Sequence, residues 1–294
     1  MHAPTNTSQV DTFQDRRDLM FGVAYRVLGS AVDAEDVVQE SWLRWSRVDQ
    51  ATVTDPTSFL MQVTTRLAID RLRKLKASRE AYIGPWLPEP LPTTPDVADD
   101  VDLSESVSIA MLVVLETLSP LERVVFVLRE AFEFSFAEIG KVLGRKEAAV
   151  RQVAHRARDH VQTRRPRFTH DHRTRRQATE RFLAACIGAD VVGLLKALDP
   201  DVTLWGDGGG KRGAPRVPIR GADKVARLLA TVGERGPGDM AVRIIDVNGG
   251  PAAVLSSGGN AFAVVIIDLQ PTDARVSTVW VITNPDKLAR LPLR

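Results

Sequence analysis

The sequence predicts a multi-domain chain in which two all-α helical domains precede a domain of α+β type. Three observations carry that reading. At 294 residues the chain is roughly twice the ~150 residues expected of one domain. From about residue 8 to 82, and again from 107 to 165, apolar residues recur at the helical period behind repeated N-cap signals, and no strand-like run interrupts them. After residue 176 the pattern changes to short β-branched runs punctuated by Gly, Pro and Asn. The predicted boundaries are therefore 8–82 (helical), 83–106 (a proline-rich acidic linker), 107–168 (helical) and 169–294 (α+β).

In the first domain Phe13, Met20/Phe21, Ala24 and Val27/Leu28 form one stripe, and Gly29 ends that helix as a C′ residue. Asp33 is the expected cap of a second helix, with Val37, Val38, Trp42 and Leu43 behind it. Asp55-Pro56 supplies an N-cap and an N1 proline for a third helix, running through Phe59, Leu60, Val63, Leu67, Ile69 and Leu72 to about Glu80. Between Tyr82 and Ser106 five prolines and a row of aspartates forbid a helix. Tyr82, Ile83, Trp86, Leu87 and Leu91 are nevertheless apolar, so part of this linker is expected to dock. In the second helical domain Ser119-Pro120-Leu121-Glu122 and Ser135-Phe136-Ala137-Glu138 are capping boxes. Gly144 ends the helix that the second box starts, and another helix runs from about Lys146 to Val161, with Ile139, Val142 and Leu143 facing Val150 and Val153. A short helix, a glycine turn and a second helix make a helix-turn-helix. In the last domain 177–187 and 191–198 read as helices, and 202–205, 242–247, 252–255, 261–269 and 276–282 as strands. A curved antiparallel sheet with helices on one face is the simplest arrangement.

Composition is that of a globular protein, 44% hydrophobic and 26% charged, which excludes a wholly disordered chain. One cysteine, Cys186, excludes an internal disulfide and a cysteine-based zinc cluster, so no metal is expected. The longest strongly apolar run, 261–267, is far shorter than the ~18 residues that span a bilayer, and the first residues carry no apolar signal core. A soluble cytoplasmic protein with no membrane partner is expected. Net charge is only +2, yet it is segregated: residues 145–176 hold eleven Lys/Arg and three Asp/Glu, whereas 81–122 hold eight acidic residues and no Lys or Arg. A basic patch in a near-neutral chain suits a polyanion.

The second helix of the helix-turn-helix leaves Lys146, Glu147, Arg151, Gln152, His155, Arg156 and Arg158 outside. Arg and Gln make bidentate contacts to guanine and adenine edges while the cations neutralise phosphates, which is what a major-groove reader requires. The helix from 58 to 80 has a second basic face with Arg66, Arg71, Arg73, Lys74, Lys76 and Arg79, although Arg66, Asp70 and Lys74 also stand at the spacing of ion pairs along one helix. Asp33-Ala34-Glu35-Asp36-Val37-Val38-Gln39-Glu40 would repel nucleic acid, so its expected partner is a basic protein surface.

These segments, together with Trp42, Ala68-Ile69-Asp70-Arg71-Leu72-Arg73 and Leu118-Ser119-Pro120-Leu121-Glu122-Arg123, resemble in order and spacing domains two and four of bacterial extracytoplasmic-function (ECF) RNA polymerase sigma factors. The resemblance implies that Asp33, Glu35, Asp36, Gln39 and Glu40 dock on the clamp of core RNA polymerase, whose β′ and β subunits are the expected protein partners. It implies that Gln62, Arg66, Asp70 and Arg73 open and read the upstream edge of the −10 element of promoter DNA, and that the Lys146–Arg158 helix reads the −35 element. Many members have Asn where Arg66 stands, a departure that bears on −10 preference. No cofactor and no covalent chemistry are implied.

Trp86-Leu87-Pro88-Glu89-Pro90, Asp207-Gly208-Gly209-Gly210-Lys211 and Asn284-Pro285-Asp286-Lys287-Leu288 are similar to the subgroup whose members bear a C-terminal SnoaL-like domain. That fold is an α+β cone of the nuclear-transport-factor type enclosing a pocket, which leaves room for a small ligand of unknown identity. Trp86, Leu87 and Leu91, apolar in a proline-stiffened linker, are expected to dock on the other two motifs, with Lys287 available to meet a linker carboxylate such as Glu89, and the expected consequence is regulation in cis without an obligatory anti-sigma factor. Relatives of the cone include isomerases and cyclases. Here no His follows His172, Cys186 lies on an apolar stripe, and Asp207, Asp246 and Asp268 are not paired by spacing with a base, so catalysis is not expected. Gly208–Lys211 lacks P-loop spacing and reads as a loop that lets backbone approach a neighbouring surface. Two rival readings stand beside this one: a ligand-sensing helix-turn-helix regulator that binds duplex DNA alone, and an isomerase or cyclase of the cone type fused to a DNA-binding unit.

Overall fold

A computed structural model describes residues 6–49, 52–93, 107–163 and 170–291. The chain forms two compact units, 1–80 with 112–165 and 81–111 with 166–294, so the two helical modules share one unit and the linker belongs with the C-terminal domain. The expected 168/169 boundary, linker residues 94–106 and the arginines Arg164 and Arg165 lie outside the described residues.

In the first unit α1 (Asn6–Leu28), α2 (Ala31–Trp45) and α3 (Pro56–Arg79) pack as a bundle. Gly29, at φ +68, closes α1 and donates its N–H to Tyr25 O at 2.7 Å. Ser30, not Asp33, caps α2. The Ser30 hydroxyl accepts the Asp33 N–H at 3.2 Å, which leaves the Asp33 carboxylate in the first turn, where the helix dipole favours it. Asp55 caps α3 by accepting the Ser58 N–H at 3.0 Å. Phe13, Met20, Tyr25, Trp45, Leu60 and Leu72 are buried. Trp45 is locked across the bundle, because its indole N–H donates to Gln9 O at 3.0 Å and Gln9 Nε2 donates back to Trp45 O at 2.7 Å.

The same unit continues from the last turn of α4 (Ile109–Glu116) through α5 (Pro120–Phe126), a π-helical stretch (Val127–Ala131), α6 (Phe136–Leu143) and α7 (Glu147–Gln162). Both capping boxes are complete. Gly144 ends α6 at φ +63, and a Cβ on Gly140 would lie 2.8 Å from Arg145 O, so the turn into α7 closes only over a glycine. Ile139, Val142, Val150 and Val153 are buried between the two helices.

In the second unit α8 (His172–Ile187), α9 (Val191–Ala197) and α10 (Ala222–Glu234) cover one face of a six-stranded sheet. Its strands are β1 (Leu198–Asp207), β2 (Ile219–Arg220), β3 (Ala241–Val247), β4 (Gly250–Ser257), β5 (Asn260–Leu269) and β6 (Val276–Ile282), in the order β2-β1-β6-β5-β4-β3. Phe182, Leu194, Leu204, Val225, Leu229 and Val279 fill the helix–sheet core. The expected fully antiparallel sheet is corrected at one pair: β1 and β6 run parallel. The meander β3–β6 returns its last strand beside β1, and the long intervening chain allows the parallel pairing that a hairpin cannot make. A short helix, α11 (Pro285–Leu288), follows β6. Among the described residues no helix is long and apolar enough to cross a membrane.

Candidate polymerase, promoter and linker-docking surfaces

The acidic segment on α2 is not a bare row of carboxylates. Arg71 Nη2 lies 2.6 Å from Asp33 and 3.3 Å from Asp36, Arg17 pairs with Glu35 at 2.7 Å and Arg44 with Glu40 at 2.7 Å. Gln39 is exposed beside them. Arg71, counted from sequence among the basic residues of α3, therefore belongs to the acidic surface, and Asp36 and Glu40 keep about half of their side-chain area in solvent.

On α3, Arg66, Asp70 and Arg73 are exposed. Asp70 pairs with Arg73 at 3.1 Å and not along the Arg66–Lys74 spacing. Gln62 donates to Lys141 O on α6 at 3.4 Å, so this −10 candidate faces the helix-turn-helix. Lys76 and Arg79 are structural rather than solvent-facing. Lys76 donates to Leu118 O at 2.7 Å, Arg79 to Leu28 O at 2.7 Å, and Arg79 pairs with Glu116 at 2.5 Å. Glu116 also holds the fully buried Arg123, whose Nε donates to Arg26 O at 3.1 Å. Burial alone would push the Glu116 carboxyl up, but Arg123 and Arg79 outweigh it and hold it below the usual carboxylate range.

Along α7 the outward residues divide. Arg158 is tied to Glu130 at 2.7 Å and Arg156 lies 3.6 Å from Glu122, both carboxylates of the same module. Arg151 pairs with Glu147 at 2.5 Å and lies 4.9 Å from the centre of the Phe136 ring, His155 stands 2.7 Å from Asp159, and Gln152 is exposed. Lys146 occupies the N-cap. Arg151, Gln152 and His155 form a solvent-presented face, on which Arg151 also stacks on the Phe136 ring of α6.

In the second unit the three similar motifs meet at Asp207, which is completely buried at the end of β1. Tyr82 donates its hydroxyl to Oδ1 at 2.5 Å and Gly209 its N–H to the same oxygen at 3.1 Å; Leu87 N–H reaches Oδ2 at 2.9 Å and Lys287 Nζ reaches it at 2.7 Å. Lys287 also donates to Leu87 O and lies 4.2 Å from the Trp86 ring centre. The carboxylate that meets Lys287 at 2.7 Å is Asp207 of its own domain, a pairing the sequence reading did not anticipate. Leu87, Pro88 and Glu89 are buried. Asn284 donates to the Tyr82 hydroxyl at 2.8 Å, and burial followed by the Asp207 bond pushes that phenol up. Gly209 and Gly210, at φ +59 and +72, explain the glycine run, because a Cβ on Gly209 would lie 2.5 Å from Asn284 Nδ2 and one on Gly210 2.8 Å from Ile83. Lys211 and Asp286 pair across the outer rim at 2.5 Å, with Pro285 exposed between the motif's polar residues.

Sequence reasoning missed a second anchor. Leu91–Thr93 lies against the end of β3 through a Pro92–Val247 bridge and a Thr93 N–H to Asp246 O bond of 3.0 Å. The signal was Asn248-Gly249, at φ +53 and +73 between paired Val247 and Gly250, a two-residue type I′ turn. Asp246, which sequence spacing pairs with no base, meets one in the fold: His172 Nε2 stands 2.6 Å from it. Asp268 receives the Trp280 indole N–H at 2.7 Å, and burial pushes its carboxyl up to about 6.

Comparison with known proteins identifies the two helical modules. Residues 12–78 match the Sigma-70 region 2 family and residues 108–161 the Sigma-70 region 4 family. The chain is 39% identical to the ECF RNA polymerase sigma factor SigJ of Mycobacterium tuberculosis, covering 97% of this chain and 95% of the relative. This chain belongs to the ECF sigma factors. The probable ECF sigma factor SigI of the same species is 32% identical over 95% of the chain and 93% of its own length. The crystal structure of M. tuberculosis SigJ superposes with a TM-score of 0.74 at 38% identity, covering 97% of this chain and all of that one, so the α+β C-terminal domain is part of the shared architecture. As an ECF sigma factor the chain directs promoter-specific transcription initiation by core RNA polymerase and is not an enzyme.

Proposed function

We propose that the SnoaL-like domain governs this sigma factor in cis by holding the linker that joins its two promoter-reading modules. The observation that carries the reading is the buried Asp207 carboxylate, whose donors come from the linker (Tyr82, Leu87) and from its own domain (Gly209, Lys287). An uncompensated buried carboxylate is costly, so the linker cannot leave without the site being rehydrated. In the same reading α2, with Asp33, Glu35, Asp36, Gln39 and Glu40, docks on the polymerase clamp; Gln62, Arg66, Asp70 and Arg73 read the −10 element; and α7 reads the −35 element. Those elements are separated by roughly 85 Å of duplex at ~3.4 Å per base pair, whereas Gln62 touches the Lys141 carbonyl. Engaging both elements therefore requires the modules to part, and the linker sets how they part. No dedicated anti-sigma factor is needed, and the protein works where core polymerase works, in the cytoplasm.

Transcription in vitro with purified core polymerase tests this. Trp86→Ala, Asp207→Ala and Lys287→Ala should each change transcript yield while promoter recognition by α7 is retained; wild-type yield from all three would overturn regulation in cis. A gel shift with and without core polymerase separates this reading from a regulator that binds duplex DNA alone.

A further inference from the structure

The geometry points to Asn248 as a positioning residue that clamps the linker at two places and so sets the reach between the two promoter-reading modules. Its buried side chain is shared. Oδ1 accepts the Leu91 N–H at 3.0 Å and Nδ2 donates to Val107 O at 2.9 Å, while its own backbone N–H donates to Leu91 O at 2.8 Å. One amide therefore holds the chain on its way out of the first module and again on its way into the second. Gly249 adds a bond from its N–H to the Thr93 hydroxyl at 3.1 Å, and Arg175 fixes the turn from behind by donating to Gly249 O at 3.3 Å. The left-handed turn is what presents both amide atoms outward from the hairpin tip, and Asn is one of the few side chains that accept that conformation.

The consequence is geometric. A free chain from Glu80 to Leu112 reaches roughly 110 Å at ~3.4 Å per residue, and fixing residues 91 and 107 at one side chain takes the stretch between them, roughly 55 Å, out of that reach. Asn248 thereby shortens the reach that the linker allows, and the permitted distance between −10 and −35 contacts follows from it. This rests on the reading that the C-terminal domain acts in cis through the linker.

The test uses the full chain and two substitutions that keep the turn, since Gly-Gly and Asp-Gly are both favoured in type I′ hairpins. Asn248→Gly removes both side-chain arms; Asn248→Asp keeps the acceptor for Leu91 and loses the donor to Val107. Amide exchange across 87–93 should quicken by about tenfold or more in Asn248→Gly and by no less in Asn248→Asp, whose carboxylate would be buried against the Val107 carbonyl without a donor. Promoters selected with core polymerase from a library of varied spacer length should show a broader spacer distribution for Asn248→Gly than for wild type, a change that mere loss of stability does not produce. Unchanged exchange in Asn248→Gly, wild-type exchange in Asn248→Asp, or faster exchange with an unaltered spacer distribution each overturns the assignment. Lys287→Ala run in parallel separates the two claims. If it changes transcription and Asn248→Gly does not, regulation in cis stands and the clamp falls; if Lys287→Ala, Trp86→Ala and Asp207→Ala all leave transcription unchanged, regulation in cis falls whatever the exchange at 87–93 shows.

Discussion

Glu116→Gln should loosen the contact between the two helical modules more than any exposed ion-pair change. The carboxylate bridges Arg79, 13% exposed, and Arg123, 0% exposed, which it meets through Nη1, and the Arg123 Nη2 atom has no hydrogen-bond partner among the described residues. Removing one partner of a buried ion pair costs about 3–5 kcal/mol, because the remaining charge is stranded. Gln keeps one acceptor oxygen and Arg79 can turn toward water, so the lower end, about 3 kcal/mol, applies. At ~1.4 kcal/mol per tenfold, amides at the C-terminal end of α3 and in α5 should exchange about a hundredfold faster in the full-length variant. Acid gives an independent check. The Glu116 carboxyl lies below its ordinary value of ~4.3, so its contribution is complete above that range and is lost as pH falls through the lowered value. Wild-type exchange should therefore accelerate below about pH 4 more steeply than that of Glu116→Gln. Less than a tenfold change at neutral pH, or identical acid slopes, would refute the bridge as the element that joins the modules.

Tyr82→Phe removes the hydroxyl shared by Asp207 and Asn284 and should destabilise the C-terminal unit by about 1.5–3 kcal/mol, read from the urea midpoint, since the lost bond is to a charged acceptor; a shift near zero would mean the phenol is not held there. Asp36→Lys with Glu40→Lys should cost under about 1 kcal/mol of stability, both pairs being exposed, yet weaken core polymerase binding severely by placing like charge against a basic clamp. Unchanged affinity would sink the docking role. Arg151→Ala and Gln152→Ala should relax base preference in the −35 element by about 1–3 kcal/mol each in competition binding, and a uniform loss on all sequences would remove α7 from the groove. Burial pushes the Cys186 thiol up to about 12, so at pH 8 the folded chain should react with a thiol reagent far more slowly than the chain in urea; equal rates would contradict the packing of α8.

Features satisfied within a turn or two were legible in the sequence. The capping boxes at Ser119 and Ser135, the Asp55-Pro56 start and the Gly144 stop all close bonds three or four residues away, so the local string contains the whole interaction. Where two cap residues compete, as Ser30 and Asp33 do, the string leaves the choice open and the backbone settles it. Side-chain partners far along the chain were not legible. Arg71, Lys76 and Arg79 look like one basic face until Asp33, Leu118 O and Glu116 are brought to them, and His172 meets Asp246 only once α8 crosses the sheet. The parallel β1–β6 pair is likewise a property of the whole meander. Two signals were present in the sequence but went unread: Val225, Ala226, Leu229 and Ala230 carry the helical period of α10, and Asn248-Gly249 spells a type I′ hairpin.

The choice of a polar clasp for an apolar linker has a physical reason. Burying Leu87 and half of Trp86 provides non-directional attraction, which would tolerate a slip of the chain by a residue or two. Asp207 does not tolerate it, because Oδ2 accepts the N–H of Leu87 while Lys287 donates to the carbonyl of that same residue, and a one-residue slip leaves a buried carboxylate and a largely buried ammonium mismatched. The prolines on either side restrict the unfastened chain and lower the entropy lost on docking, so the attraction needed is small. Register then comes from the charged group and affinity from the apolar ones. Since the Tyr82 hydroxyl, the Leu87 amide and the Lys287 ammonium all converge on one carboxylate, loss of any one weakens the hold of the others, and under the proposed regulation in cis the linker should be released as a unit instead of peeling residue by residue.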